Sequence, residues 1–157
     1  MVAALAVRPL TMMMRMEGQK APRPRLVRVA KEFEFHAAHV LPNHDGQCAR
    51  LHGHTYRLRV VVAGEPNRVH PAGLDPAEGM VVDFAVLKDI YTSRVEPLVE
   101  HQQLHETLKG LVPVTTCEEM ARWLFIVFQG ELFKRDLELD SVTLWETPTS
   151  YAEVRGA

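Results

Sequence analysis

The segment CARLHGH, residues 48–54, combines a thiol with two histidines that are separated by one glycine. Residues two apart in a β-strand project from the same face, with Cα atoms roughly 7 Å apart. His52 and His54 can therefore chelate one metal ion from a single strand. A His-x-His pattern in a strand is nevertheless more often two unrelated side chains, so the pair alone is insufficient to predict a metal site.

A third histidine strengthens the interpretation of a metal site. The segment LVRVAKEFEFHAAH alternates as a half-buried strand does, and His39 shares the parity of its apolar face. His36 has the opposite parity and is not expected to be a ligand. Three protein ligands and an open fourth position are typical of catalytic zinc. The sequence therefore predicts a metal site on His39, His52 and His54.

The spacing leaves two roles open for Cys48. As a fourth ligand it would close the open position of the metal site. Held just outside, it would lie in the field of a dication, which favours the thiolate and would make it a base or nucleophile. Cys117, the other cysteine of the chain, lies where a helix is predicted to start and is expected to be inert. Two cysteines imply no disulfide framework, so a reducing compartment, the cytoplasm, is expected.

Hydrophobic periodicity predicts the elements that must position these residues. Two alternating strands are followed by two helices, the first with a boundary at Pro97. The second helix begins at a capping box that starts with Thr115 or Thr116. Two final strands turn near Pro148. The order ββααββ predicts an α+β fold, an antiparallel four-stranded sheet with two helices on one face.

The composition suits a single domain of ordinary balance, with 46% hydrophobic and 24% charged residues among 157. Residues 1–25 differ in composition from the rest, so an N-terminal extension is predicted ahead of one domain over residues 26–157. The formal net charge of -2 gives no reason to expect a nucleic-acid partner. No apolar run approaches the roughly 20 residues that a membrane-spanning helix needs.

Several segments resemble a known family. FEFHAAH, CARLHGHTYRLRV, VVDFAVLK, VEHQQL, TTCEEMARWL and LWETPTSY occur in the order and approximate spacing of the 6-pyruvoyl-tetrahydropterin synthase family. The resemblance covers Leu26 to about Arg155 and is closest to the bacterial branch, the 6-carboxy-5,6,7,8-tetrahydropterin synthases. The motif that is specific to the family is Cys-x-x-Leu-His-Gly-His with an upstream Ala-Ala-His. The helical segments add little to the specificity of the match.

The resemblance implies a site, a fold and an assembly. Zinc would be bound by His39, His52 and His54, and Cys48 would be the catalytic base and not a ligand. The tunnelling fold is implied, in which sheets join across subunits into an oligomeric barrel. The chain would then be a homo-oligomer, a trimer or hexamer, with active sites at subunit interfaces.

The bacterial branch also implies an activity. The chain would be a zinc-dependent lyase of queuosine biosynthesis that converts 7,8-dihydroneopterin triphosphate to 6-carboxy-5,6,7,8-tetrahydropterin, acetaldehyde and triphosphate. The alternatives are a 6-pyruvoyl-tetrahydropterin synthase, with the same site, and a non-catalytic zinc-bearing module that binds pterins.

A further acid/base residue and the carboxylate that orients it are implied by the match of VEHQQL to a Leu-Asp-His segment of the family. His101 would be the second acid/base, and Glu100 would be the carboxylate that orients it. Glutamate here replaces the usual aspartate. Its carboxylate can still accept a hydrogen bond from an imidazole N–H, but the extra methylene moves that bond.

Two residues are expected to contact the pterin. Glu146 follows Val142 and Leu144 on one predicted strand face, where an unpaired carboxylate would be costly to bury. The family assigns this glutamate to pterin anchoring, and a pair with a nearby arginine is the alternative. Thr116 matches a pterin-edge segment of the family, although helix capping explains this residue equally well.

Overall fold

A computed structural model describes residues 26–67 and 76–156. The predicted extension, residues 1–25, lies outside the described residues. The strands are β1 (Val27–His39), β2 (His52–Gly64), β3 (Gln102–Gln103), β4 (Glu138–Thr147) and β5 (Ser150–Arg155). The helices are α1 (Phe84–Ile90), α2 (Glu96–Val99), α3 (Leu104–Thr107) and α4 (Cys117–Phe133). A π-helical turn, Tyr91–Val95, joins α1 to α2, and a 3₁₀ turn, Gln47–Ala49, precedes β2.

The long hairpin of β1 and β2 is the frame of the molecule. The two strands pair without a register shift, from Val27 opposite Gly64 to His39 opposite His52. Alternate residues of both strands enter the core, and Phe35 and Tyr56 are fully buried there. Because the side-chain period of a strand is two, this register also fixes which histidines share the buried face.

The α+β class predicted from the sequence is confirmed, but the predicted four-stranded antiparallel sheet is wrong. The sheet has five strands in the order β3-β1-β2-β4-β5, and β3 pairs with β1 in parallel. A two-residue strand is too short to leave an alternating pattern. Its pairing is set by the backbone of His101, which has a φ of 54° and donates its N–H to the His36 carbonyl at 2.7 Å.

Helices cover the apolar face of this sheet. Met120, Leu124, Phe128 and Leu132 recur at helical spacing in the sequence and form the fully buried stripe of α4, which packs on β4 and β5. The helical stretch before α4 continues past Pro97, the predicted boundary, which lies in the first turn of α2 directly after the π-helical turn. Among the described residues, no helix combines the length and apolarity that a bilayer-spanning helix requires.

Candidate metal centre

Three histidines meet where the β1–β2 hairpin ends. His39 is the last residue of β1 and lies opposite His52, the first residue of β2, and His54 follows two residues later on the same face. One ring nitrogen from each lies within 4.8 Å of the other two. His39 is buried, and the other two are half-buried. The structure thus brings together the three residues that were predicted as metal ligands.

Backbone carbonyls orient two of these rings. His39 Nδ1 lies 2.7 Å from the Thr115 carbonyl oxygen, and His52 Nδ1 lies 2.8 Å from that of Arg50. A carbonyl only accepts, so each Nδ1 carries the proton and each Nε2 presents a lone pair. Those two Nε2 atoms are 3.0 Å apart, and His54 Nε2 is buried without a hydrogen-bond partner among the described residues. A cation between the rings would satisfy all three nitrogens.

Burial favours the neutral form of two of these histidines, His39 and His54. Desolvation lowers the pKa of His39 and of His54, although the nearby Glu146 carboxylate acts in the opposite direction. Neutral imidazole is the form that binds a metal ion, and three imidazoles are a donor set that zinc accepts. The site therefore fits zinc.

Two residues near the centre were not singled out by the sequence interpretation. Tyr56, next on the buried parity of β2, places its ring edge against His39 and His54, with ring centroids 6.2 and 5.5 Å away. Gly53 allows the strands to approach, because a Cβ there would lie 3.3 Å from the Ala37 carbonyl oxygen. The parity that identified the histidines also pointed to Tyr56.

Glu146 lies beside the histidines. Its Oε1 is 3.4 Å from His39 Nε2 and 3.9 Å from His54 Nε2. Among the described residues, no lysine or arginine forms an ion pair with Glu146. The structure therefore does not support the alternative of an arginine partner. Glu146 lines a cavity of about 500 Å³ together with His54, Arg57 and Trp145, and the Arg57 guanidinium lies 4.2 Å from the Trp145 ring centroid.

Cys48 stands apart from the three-histidine cluster. It lies half-buried in the 3₁₀ turn before β2, and its carbonyl oxygen accepts the Leu41 N–H at 2.8 Å. Among residues 26–67 and 76–156, the ligand-type atoms that lie within 4.8 Å of one another at this centre belong to the three histidines. Cys48 Sγ is therefore not part of this group of ligand-type atoms, and the role of Cys48 as a base stays a prediction.

Glu100 and His101 form a close pair. Glu100 Oε1 lies 3.0 Å from His101 Nε2, so the longer side chain still reaches the imidazole. His36, which parity placed on the outward face, joins this pair through its backbone N–H, donated to Glu100 Oε2 at 3.1 Å. In the described part of one chain, no hydrogen bond or ion pair connects the pair to Cys48. Its catalytic role stays a prediction.

The start of α4 holds Thr116 and Cys117. Thr116 is the N-cap, and its hydroxyl accepts the Glu119 N–H at 3.4 Å, as the capping box predicted. Its role as a substrate contact stays a prediction.

The Cys117 thiol donates to the Leu144 carbonyl at 3.1 Å, and burial raises its pKa to about 11.

Comparisons with known proteins agree in one family. A family model described as 6-pyruvoyl tetrahydropterin synthase matches residues 28–157. The chain is 34% identical over 146 residues to 6-carboxy-5,6,7,8-tetrahydropterin synthase of Haemophilus influenzae, with 82% of this chain and 98% of the relative covered. It is 41% identical over 124 residues to the Synechocystis sp. protein of the same name, with 79% and 89% covered.

A solved structure is also similar. The 6-pyruvoyl tetrahydropterin synthase of Caenorhabditis elegans has a TM-score of 0.69 and 28% sequence identity, and the match covers 86% of this chain and 100% of that chain. The fold of the described residues is therefore that of the same family.

The two cysteines should differ in their reactivity toward iodoacetamide. With its pKa raised to about 11, Cys117 is roughly one part in a thousand thiolate at pH 8, so it should react at least about tenfold more slowly than Cys48. Its rate should rise as the pH approaches 11. Peptide mass spectrometry of a labelling time course, with Cys48→Ala as control, measures both rates. Equal rates at pH 8 would contradict the burial of Cys117.

Proposed function

The chain belongs to the 6-pyruvoyl tetrahydropterin synthase family, and on that premise we propose that it is a zinc-dependent 6-carboxy-5,6,7,8-tetrahydropterin synthase. It would convert 7,8-dihydroneopterin triphosphate and water to 6-carboxy-5,6,7,8-tetrahydropterin, acetaldehyde and triphosphate. The observation that carries the proposal is the convergence of three histidine nitrogens with a thiol held outside them. The names of the curated relatives support the choice of reaction.

His39, His52 and His54 would hold the zinc ion. When bound, zinc supplies a Lewis acid for the side-chain oxygens next to the pterin ring. The carbonyls of Thr115 and Arg50 fix the orientation of two of the rings. A hydrogen bond that the distal ring N–H donates to a carbonyl also raises the basicity of the ligating nitrogen, which strengthens metal binding.

Glu146 would anchor the pterin. The exocyclic amino group and the ring N–H of a pterin are adjacent donors, which match the two oxygens of a carboxylate. Glu146 lies within 3.4 and 3.9 Å of two of the proposed ligands, His39 and His54. A ring held there would present its short side chain to the metal position. The cavity wall formed by Trp145 and Arg57 offers a flat surface beside it.

Cys48 and His101 would move the protons. The Cys48 thiolate would take a proton from the substrate side chain, and His101 would return or remove protons on the other side. Glu100 would hold the His101 imidazole in one orientation through its 3.0 Å contact. Triphosphate then leaves, and cleavage of the retro-aldol type releases acetaldehyde.

We also propose that the active form is a homo-oligomer, a trimer or hexamer. Cys48 and His101 share no hydrogen bond or ion pair within the described part of one chain. A neighbouring subunit would bring the second acid/base to the thiol. The family resemblance, with active sites at subunit interfaces, supports this arrangement.

One observation favours a second candidate, 6-pyruvoyl-tetrahydropterin formation without carbon–carbon cleavage. The similar solved structure from Caenorhabditis elegans carries that name at 28% identity. The curated relatives at 34% and 41% identity carry the carboxy name and favour cleavage. The relatives are synthases by name, which also weighs against a non-catalytic pterin-binding module.

Acetaldehyde is the product that separates these functions. We expect zinc-loaded protein to release acetaldehyde in a one-to-one ratio with the pterin product, since cleavage forms both together. Oxidation of NADH by alcohol dehydrogenase measures acetaldehyde, and mass spectrometry identifies the pterin. Pterin turnover without acetaldehyde would assign the pyruvoyl reaction instead. Tight pterin binding without turnover would assign a binding module.

Metal binding and proton transfer should separate by mutation. Cys48→Ala should keep its tightly bound zinc and lower turnover by at least ~100-fold, the usual contribution of a general base. His54→Ala should lose the tightly bound zinc, because the remaining pair of histidines is a much weaker chelator. Plasma mass spectrometry of dialysed protein measures zinc. Loss of zinc from Cys48→Ala would show that the thiol is a ligand and overturn its assignment as a base.

A further inference from the structure

A second group of ligand-type side chains lies on the outward side of β1. His36, Glu100 and His101 each place a donor atom within 4.8 Å of the other two. Glu100 Oε1 lies 3.0 Å from His101 Nε2 and 3.7 Å from His36 Nδ1. These residues are not part of the three-histidine centre, because strand parity directs His36 away from the buried face that carries His39.

The backbone holds this second group in place. The His36 N–H donates to Glu100 Oε2, and the His101 N–H donates to the His36 carbonyl at 2.7 Å. The two imidazole rings are nearly parallel, at 12°, with centroids 5.7 Å apart. His101 has a φ of 54°, in the left-handed region that non-glycine residues adopt only when the surroundings impose it. The backbone hydrogen bonds therefore fix the positions from which the three side chains project.

We propose that His36, Glu100 and His101 form a second zinc site. Zinc binds imidazole nitrogen at roughly 2.0–2.1 Å and carboxylate oxygen at roughly 2.0–2.2 Å, so two ligands on a tetrahedron lie about 3.3 Å apart. The observed separations of 3.0 and 3.7 Å lie on either side of that value. Two imidazoles and one carboxylate are a known catalytic zinc donor set, and a fourth position stays open to water.

The surroundings indicate a labile site. In a single chain the His36 and His101 side chains are 52% and 78% exposed, so an ion can reach them from the protein surface. Glu34 lies 4.0 Å from His36 Nε2 and adds negative charge beside the group. The buried centre on β1 and β2 should bind zinc more tightly, since it offers three imidazoles and backbone carbonyls already orient two of them.

Occupation of the second site has a consequence that rests on the proposed function. Zinc on His101 Nε2 would remove the proposed acid/base, and zinc on Glu100 would remove its partner. Excess zinc should therefore inhibit turnover, whereas the ion in the three-histidine centre supports it. The metal-binding part of the inference does not depend on the reaction.

Zinc titration of the full chain tests the second site. Calorimetry on chelator-stripped native protein should resolve two zinc ions per chain, one tight and one weaker. His36→Ala and His101→Ala should each weaken the second ion by at least about tenfold, because loss of a direct ligand exceeds the 10–100-fold cost of losing its hydrogen-bond partner. The matched control is His105→Gln, which alters a histidine 3.8 Å from Glu106 that belongs to neither group.

The outcomes separate this inference from the proposed function. A single zinc ion per native chain, or a weaker ion that persists in both variants, would overturn the second site. Loss of the tight ion from His54→Ala with the weaker ion retained supports two sites. Turnover at excess zinc, divided by turnover at one equivalent of zinc, should fall below one in native protein and stay near one in His36→Ala. A weaker ion confirmed by the variants, together with no turnover at all, would leave the second site standing and contradict the enzyme.

Discussion

The register of the β1–β2 hairpin is the constraint on which the rest of this structure depends. It places His39 directly opposite His52, with His54 on the same buried face. A slip by one residue would turn every side chain of one strand to the other side of the sheet. The centre would then lose either His39 or both His52 and His54 to solvent, and Phe35 or Tyr56 would leave the core with them. The apolar residues that drive folding therefore also align the candidate metal ligands.

Burial and backbone contacts set the protonation of the aligned histidines. The Thr115 and Arg50 carbonyls fix the protons of His39 and His52 on Nδ1, so two Nε2 lone pairs face each other 3.0 Å apart. Desolvation disfavours the protonation that would relieve this contact at His39 and His54. A divalent cation resolves the conflict, and the carboxylate of Glu146 close by lowers the cost of bringing positive charge into the site.

The sequence predicted the residues that follow strand parity and missed those that depend on distant contacts. His39, His52, His54 and the burial of the α4 stripe all follow from periods of two or 3.6 residues. The parallel strand β3 left no such pattern in two residues. The approach of His36 to Glu100 was equally invisible, because 64 residues separate them in sequence and a left-handed His101 brings them together. Periodicity predicts which face a residue occupies, and tertiary contacts decide its neighbours.

Zinc K-edge X-ray absorption on protein that carries one equivalent of zinc tests the central claim most directly. The claim is that three imidazoles hold the ion while the Cys48 thiol stays outside. The account predicts a shell of nitrogen and oxygen scatterers at roughly 2.0–2.1 Å, with the multiple scattering typical of histidine and no sulfur. A sulfur scatterer near 2.3 Å, the length of a zinc–thiolate bond, would contradict it.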